Sequence, residues 1–328
     1  MSTNDNNQER ALRFSFLGPF GTFCNMAVDQ VAEADAELVP CIDVPSALRK
    51  VRADEVDYAV VPIENSVEGS INATLDTLTH GSPLEIKAEM LVPIRFALAV
   101  RSGVELSDIK RIGTHPHAWA QCRNWIAENI GEVVHVPATS TAAAAEILAS
   151  STDDGAGFEA ALCPVATAQS LGLEILSDEV ADNPTAVTRF IMVGKPGMQP
   201  DPTGADKTTL TVQLPDNEAG ALLSMLEQFS VRGVNLSRIE SRPVGDSLGR
   251  YAFSIDAEGH IFDKRMQAVL IGLHRSCPRV TFHGSYPSAN GHQIRLRPGT
   301  SNSDFRAARR WVNNLLYSNG YTPDEDIL

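Results

Sequence analysis

The sequence predicts an α/β protein with two lobes of alternating strands and helices, followed by a smaller module of different pattern. Three observations lead there. Apolar β-type runs alternate with helical stripes from residue 13 to about 195; the rhythm breaks once, over a β-rich stretch at about 84–100; and a segment rich in proline and glycine, Lys195 to Gly204, separates this region from the rest of the chain. Alternating strands and helices imply parallel sheets with covered faces. A single interruption makes two such lobes, with a ligand held between them beyond the carboxyl ends of the strands.

The elements can be taken in chain order. Residues 1–11 are polar and predicted to be disordered. Strands are expected at Arg13–Leu17, Glu37–Ile42 and Tyr58–Ile63, with helices from Phe23, over Val44–Val51 and over Ile71–Leu78. On the last of these Ile71, Leu75 and Leu78 share one face. After the β-rich interruption come strand 111–113, helix 116–128, strand 133–137, helix 141–149, strand 160–162, helix 165–171 and strand 173–175. A polar loop then leads into a strand that opens Thr188-Arg189-Phe190. The domain reading is 12–195 for the bilobal part, with lobe 1 at about 12–103 and 188–195 and lobe 2 at about 104–187; 196–206 is the linker.

Beyond the linker, Leu210, Val212 and Leu214 alternate as a strand, and Leu222, Met225, Leu226 and Phe229 form a helical stripe. Two more strands, a second helix through Met266, Val269 and Leu273, and a final strand at 280–285 complete βαββαβ, a ferredoxin-like module over 207–286. The tail, 287–328, carries one amphipathic helix around Trp311 and Leu315, expected to dock on the body or on another copy.

Composition narrows the function. With 43% hydrophobic and 21% charged residues the chain can bury a sizeable core. A net charge of -14 argues against nucleic acid and against an acidic membrane surface as partners. Five cysteines without a Cys-x-x-Cys pair point to reduced thiols, and the absence of an apolar leader or a membrane-length run to a cytoplasmic protein. An anionic ligand in so acidic a protein needs a locally built positive potential.

Small polar residues gather where predicted helices begin: Thr22, Glu64, Asn65, Ser66, Ser70, Asn72, Thr114, Ser140 and Thr141. Each alone is explained by helix capping. Together, helix N-termini converging on a cleft make an anion site without a phosphate loop. Arg189 adds a guanidinium able to hold a carboxylate by two parallel bonds. His115 and His117 have no third ligand at metal spacing, and no dinucleotide fingerprint, phosphate loop or nucleophile elbow is present. The residues point to a metal-free, cofactor-free reaction on a small anion.

Several segments carry a resemblance. Gly18-Pro19-Phe20-Gly21-Thr22-Phe23, then Pro62-Ile63-Glu64-Asn65-Ser66-Val67-Glu68-Gly69-Ser70 with Asn72, then Thr114-His115-Pro116-His117-Ala118, then Asp182-Asn183-Pro184 with Thr188-Arg189-Phe190, occur in that order. The chain resembles the monofunctional prephenate dehydratases that carry a regulatory ACT domain. Gly220-Ala221-Leu222-Leu223 and Glu240-Ser241-Arg242-Pro243 are similar to the phenylalanine-binding ACT motifs. The likeness covers about 13–286, and Thr114 and His117 depart from the family's Ser-His-Pro-Gln-Ala pattern.

The resemblance implies a catalytic domain with the two-lobed fold of type II periplasmic binding proteins, no cofactor, and decarboxylative dehydration of prephenate to phenylpyruvate. It assigns catalysis to Thr188, Arg189, Phe190 and Glu64, and substrate binding to Thr22, Asn65, Ser66, Asn72, Thr114, His115, Ser140 and Thr141. It places phenylalanine, as allosteric inhibitor, on Gly220, Ala221, Leu222, Leu223, Asn235, Leu236, Glu240, Ser241, Arg242 and Pro243, in a dimer or tetramer paired through ACT domains. Two other readings stand beside it: an arogenate dehydratase, with the same chemistry on an amino acid, and a small-anion binding protein without catalysis.

Overall fold

A computed structural model describes residues 10–215, 218–243 and 251–318. Most of the segment predicted to be disordered, and the end of the tail, lie outside them. The chain is a mixed α/β protein that divides into two compact units: residues 1–84 with 89–195, and residues 196–328 with the short stretch 85–88.

The first unit begins with β1 (Arg13–Leu17), α1 (Phe23–Val28), β2 (Glu37–Cys41), α2 (Val44–Arg52), β3 (Tyr58–Asn65), β4 (Gly69–Ser70) and α3 (Asn72–Thr79). The sequence places α2 closely. Asp43 caps it, accepting from the Ser46 N–H at 2.7 Å, and Val44, Ala47, Leu48 and Val51 bury one face at helical spacing. β5 (Glu85–Pro93) closes this sheet, and β6 (Phe96–Val100) opens the next. β7 (Arg111–Thr114), α4 (Pro116–Ala120), α5 (Arg123–Asn129), β8 (Val134–Pro137), α6 (Thr141–Ser150), β9 (Ala160–Pro164), α7 (Val165–Ser170) and β10 (Glu174–Ser177) come next, and β11 (Val187–Gly194) returns to the first sheet.

The first sheet runs β2-β1-β3-β11-β5 with β4 beside β3; the second runs β10-β6-β9-β7-β8. Neither is purely parallel as the alternation predicts. β1 is parallel to β2 and β3, and β7 to β8 and β9, because helices return the chain between them. β6 and β11, which carry the chain from one sheet to the other, pair antiparallel to β9 and β3. The sheet changes at residues 94–96, so β6 pairs in the second sheet although the sequence reading extends the first lobe to about 103. Ile112, Leu98, Leu162 and Phe96 lead the second sheet's core on one side, with Leu148, Phe158 and Ala161 on the other.

The single helix predicted over 116–128 is two. Asp182 N–H bonds to the Gln121 carbonyl at 2.8 Å, and the Asp182 carboxylate accepts from Asn124 and Trp125 N–H at 3.2 and 2.9 Å. α5 therefore starts on a cap borrowed from a distant loop, a contact that local periodicity does not contain.

The second unit comprises β12 (Asp206–Gln213), α8 (Ala221–Ser230), β13 (Leu236–Pro243), β14 (Tyr251–Glu258), α9 (Lys264–Ser276) and β15 (Arg279–Pro287). Its antiparallel sheet has the order β13-β14-β12-β15. Leu210, Val212, Phe253 and Ile255 pack with Met225 and Phe229 of α8 and with Val269 and Leu273 of α9. The alternate positions are polar and also buried. Arg238 pairs with Asp256 at 2.9 Å, and Thr209 donates to the same carboxylate at 2.8 Å. α10 (Asn302–Ser318) comes after an irregular segment and has no buried residue; Trp311, Val312 and Leu315 are exposed. It touches α9 but does not bury its apolar face there among the described residues.

Candidate active site

Two segments far apart in sequence become one strand pair. β11 lies antiparallel to β3 with Thr188 opposite Asn65 and Arg189 opposite Glu64; the register slips beyond them, so Phe190 faces Pro62. Ser66 closes the pair at its end. Its N–H donates to the Val187 carbonyl at 2.9 Å, and its hydroxyl oxygen accepts from the Val187 N–H at 2.9 Å.

Asn65 sets the polarity of the site. Its Oδ1 accepts from the backbone N–H groups of Val67 and Glu68, at 2.8 and 3.1 Å, which orients the amide. Its Nδ2 then donates to Thr188 Oγ1 at 2.9 Å. A hydroxyl has one proton and two lone pairs. Because the Thr188 oxygen receives the amide, its own proton is directed to another acceptor. Thr188 is buried, with 6% of its surface exposed.

Arg189, equally buried, lies between two carboxylates: Nη1 is 3.4 Å from Glu64 Oε2, and Nε is 3.4 Å from Glu89 Oε2. The two acids differ in access, since the Glu64 side chain is 36% exposed and that of Glu89 is fully enclosed. Glu89, on β5, is a site residue that the sequence reading missed. Its one signal is a carboxylate that recurs, after Glu85, within a strand of mixed charged and apolar residues. Phe190 is a core side chain, 3% exposed.

The turn after β3 also reaches the second sheet's helices. Glu68 Oε2 lies 2.9 Å from His117 Nδ1, and Glu68 Oε1 accepts from Gln121 Nε2 at 3.1 Å. His117, one of the two positions that depart from the family pattern, thus meets the segment that carries Asn65. His115 Nδ1 accepts from the His117 N–H at 3.3 Å, and burial, then the neighbouring His117, hold the His115 imidazole below its ordinary pKa.

Other predicted residues have structural partners. Thr22 caps α1, accepting from the Asn25 N–H at 3.3 Å, and its one hydroxyl proton is shared between the Leu17 and Pro19 carbonyls, each 3.1 Å away. Ser140 caps α6, accepting from the Ala143 N–H at 2.9 Å. The Thr114 hydroxyl is fully buried and donates to the Leu162 carbonyl at 2.8 Å. Asn72 and Thr141 are the first residues of α3 and α6, the former exposed and the latter half-buried. In the Asp-Asn-Pro motif, Asp182 caps α5 and Asn183 Oδ1 accepts from the Thr185 N–H at 3.0 Å, which turns the chain into β11. Among the described residues no group of three His, Cys, Asp or Glu side chains is placed to hold a metal ion, and no helix is long and apolar enough to cross a membrane.

In the second unit, Gly220, with φ +89°, precedes α8; Ala221 is half-buried and Leu222 and Leu223 are exposed on its first turn. Asn235 and Leu236 lie past its other end, where Asn235 Nδ2 donates to Glu258 Oε1 at 2.9 Å. Glu240, Ser241, Arg242 and Pro243 finish β13.

Comparison with known proteins gives the family of the chain. The prephenate dehydratase family model matches residues 14–198. A prephenate dehydratase of Amycolatopsis methanolica is 40% identical over 301 residues, covering 92% of this chain and 96% of the relative. A crystal structure of prephenate dehydratase in complex with L-Phe from Arthrobacter aurescens is 52% identical with a TM-score of 0.87, covering 93% of this chain and all of that one. The prephenate dehydratase of Staphylococcus aureus subsp. aureus Mu50 is 27% identical with a TM-score of 0.71, over 84% of this chain and all of that one. With a family model across the strand pair that joins Asn65 to Thr188, and relatives matched along nearly their whole length, the chain belongs to the prephenate dehydratase family.

Proposed function

We propose that the protein is a carbon–oxygen lyase of the cytoplasm, which converts prephenate to phenylpyruvate for phenylalanine synthesis and is inhibited by L-phenylalanine. The ring carboxylate of prephenate leaves as CO2, its bonding electrons enter the ring, and the hydroxyl opposite departs as water once protonated. Aromatisation drives the step; the poor leaving group is what needs help.

The observation that carries this reading is the Asn65 to Thr188 hydrogen bond. With its oxygen occupied by the amide, Thr188 offers its proton to the departing hydroxyl, and that bond strengthens as charge develops there. Thr188 remains a hydrogen-bond donor, because an alcohol ionises far above neutral pH. Glu64, the accessible carboxyl beside Arg189, is the group to supply the proton through it or through water. Glu89 keeps Arg189 in place while the guanidinium exchanges Glu64 for a substrate carboxylate. Phe190 is a wall behind them, and Asn72, His115 and Thr141 flank the approach. The other predicted binding residues, Thr22, Ser66, Thr114 and Ser140, act through the loops they fix.

The catalytic unit is read as the two-lobed, type II periplasmic-binding-protein-like domain, its sheets being the lobes. The βαββαβ unit is read as the ACT sensor. Two of its three groups of proposed phenylalanine ligands support assembly through this unit. Gly220–Leu223 precede or begin α8 and Asn235–Leu236 come after it, and ten helical residues separate the ends by about 15 Å. One amino acid does not span that distance, so the two groups reach the same ligand from different copies in a dimer or tetramer.

The test is phenylpyruvate formation by the purified protein from prephenate, with and without L-phenylalanine. Prephenate turnover suppressed by L-phenylalanine is expected. Turnover of arogenate alone would move the protein to that substrate, and binding of prephenate without product would make it a capture protein.

A further inference from the structure

The second unit has an open pocket of about 1060 Å³ at the end of α8 from which β13 departs. Its floor is apolar, formed by Leu226, Phe229 and Val234. Asn235 and Leu236 are on its wall, and Asn235 holds the Glu258 carboxylate at 2.9 Å, which leaves that acid an oxygen for a cation. Asp206 also lines it, but its carboxylate is committed to the Thr203 hydroxyl and to the N–H groups of Thr203 and Gly204. The opposite wall is the segment between β15 and α10, which contributes Arg295 and Arg297; Lys207 and the buried Arg265 add two more cations. In a protein of net charge -14, a lining that sets four cations against the carboxylates of Asp206 and Glu258 carries a local excess of positive charge.

The segment is held at both ends. Ser288 N–H bonds to the Ala205 carbonyl at 2.7 Å and Ile294 N–H to the Gly204 carbonyl at 3.1 Å. At the far end Asn302 accepts from the Lys264 N–H at 2.7 Å and donates to Asp263 at 3.0 Å. Two glycines are fitted to it. A Cβ on Gly204 would lie 2.6 Å from the Gln293 side chain, and one on Gly233 2.6 Å from that of Thr300, and both residues have positive φ. The strap is thus built onto the pocket.

An apolar floor, an acid and a cationic wall together match an α-amino acid with a large apolar side chain. We infer that the C-terminal strap, which lies outside the family model and the ACT resemblance, is part of the effector site, with Arg295 and Arg297 taking the effector's carboxylate. This rests on the reading of the unit as a phenylalanine sensor.

Calorimetric titration of the full-length protein and of Arg295→Gln/Arg297→Gln with L-phenylalanine and with L-phenylalaninol, which lacks the carboxylate, tests it. The double variant should bind L-phenylalanine at least about tenfold more weakly, bind the alcohol as the unaltered protein does, and keep its turnover without effector. Equal affinity for L-phenylalanine in both proteins would overturn the strap's role and leave the sensor reading standing. An equal loss for acid and alcohol would overturn the carboxylate contact. No binding of L-phenylalanine to the unaltered protein would remove the sensor reading and the strap's role together.

Discussion

At the scale of single residues, Thr188 is defined by what its oxygen receives. Thr188→Ala removes the proposed donor to the leaving group and should lower kcat by about 10²–10⁴ with a smaller change in KM. Steady-state kinetics check this, and near-normal kcat would displace Thr188 from its role. Asn65→Leu should resemble it, and the pair should be far from additive because the two side chains form one device. Glu89→Gln leaves a buried guanidinium without a fully enclosed counter-charge and should cost about 3 kcal/mol, read from urea unfolding of the catalytic unit. Thr188, Arg189 and Asn65 were legible as polar residues in strand and loop contexts, but their partnership was not. It depends on β3 and β11 being neighbours across a separation of 123 residues. Glu89 was illegible for the same reason: a carboxylate in a strand acquires meaning only from the strand beside it.

At the scale of elements, periodicity located most helices and strands within a residue or two, since burial of an alternating or helical face is a local property of sequence. It failed where the cause was distant, at the break between α4 and α5. Asp182→Ala withdraws the carboxylate that starts α5 and should cost about 1–2 kcal/mol, seen as a lower thermal midpoint, with kcat reduced less than in Thr188→Ala. An unchanged midpoint would mean that α5 starts without it. Ser140 and Thr22 were readable as caps or as ligands, and the partners found are those of caps. Such residues locate the backbone N–H groups of a loop tip even where their own side chains are turned inward.

At the scale of the whole molecule, the separation of two of the proposed effector-binding groups by α8 predicts an oligomer. Light scattering should give the mass of a dimer or tetramer at micromolar concentration. A monomer that still binds L-phenylalanine would confine the site to one chain. Burial pushes the thiols of Cys24 and Cys163 up to about 12, so they stay protonated and unreactive at neutral pH. Which sheets form was largely legible in the alternation; where the chain crosses between them was not, because a crossing is a choice of partner strand.

That crossing bears on how the chain is made. Ile94 and Ala186 mark the departure and the return, and the Ile94 N–H bonds to the Ala186 carbonyl at 2.8 Å. Every strand of the second sheet lies between them. During synthesis the edge of β3 stays unpaired by β11 until residue 194 has emerged, whereas the second sheet has all its strands by residue 177. The nascent chain can close the later sheet before the earlier one. Asn65 meets Thr188 only when β11 pairs with β3, so the candidate site forms no earlier than the arrival of β11.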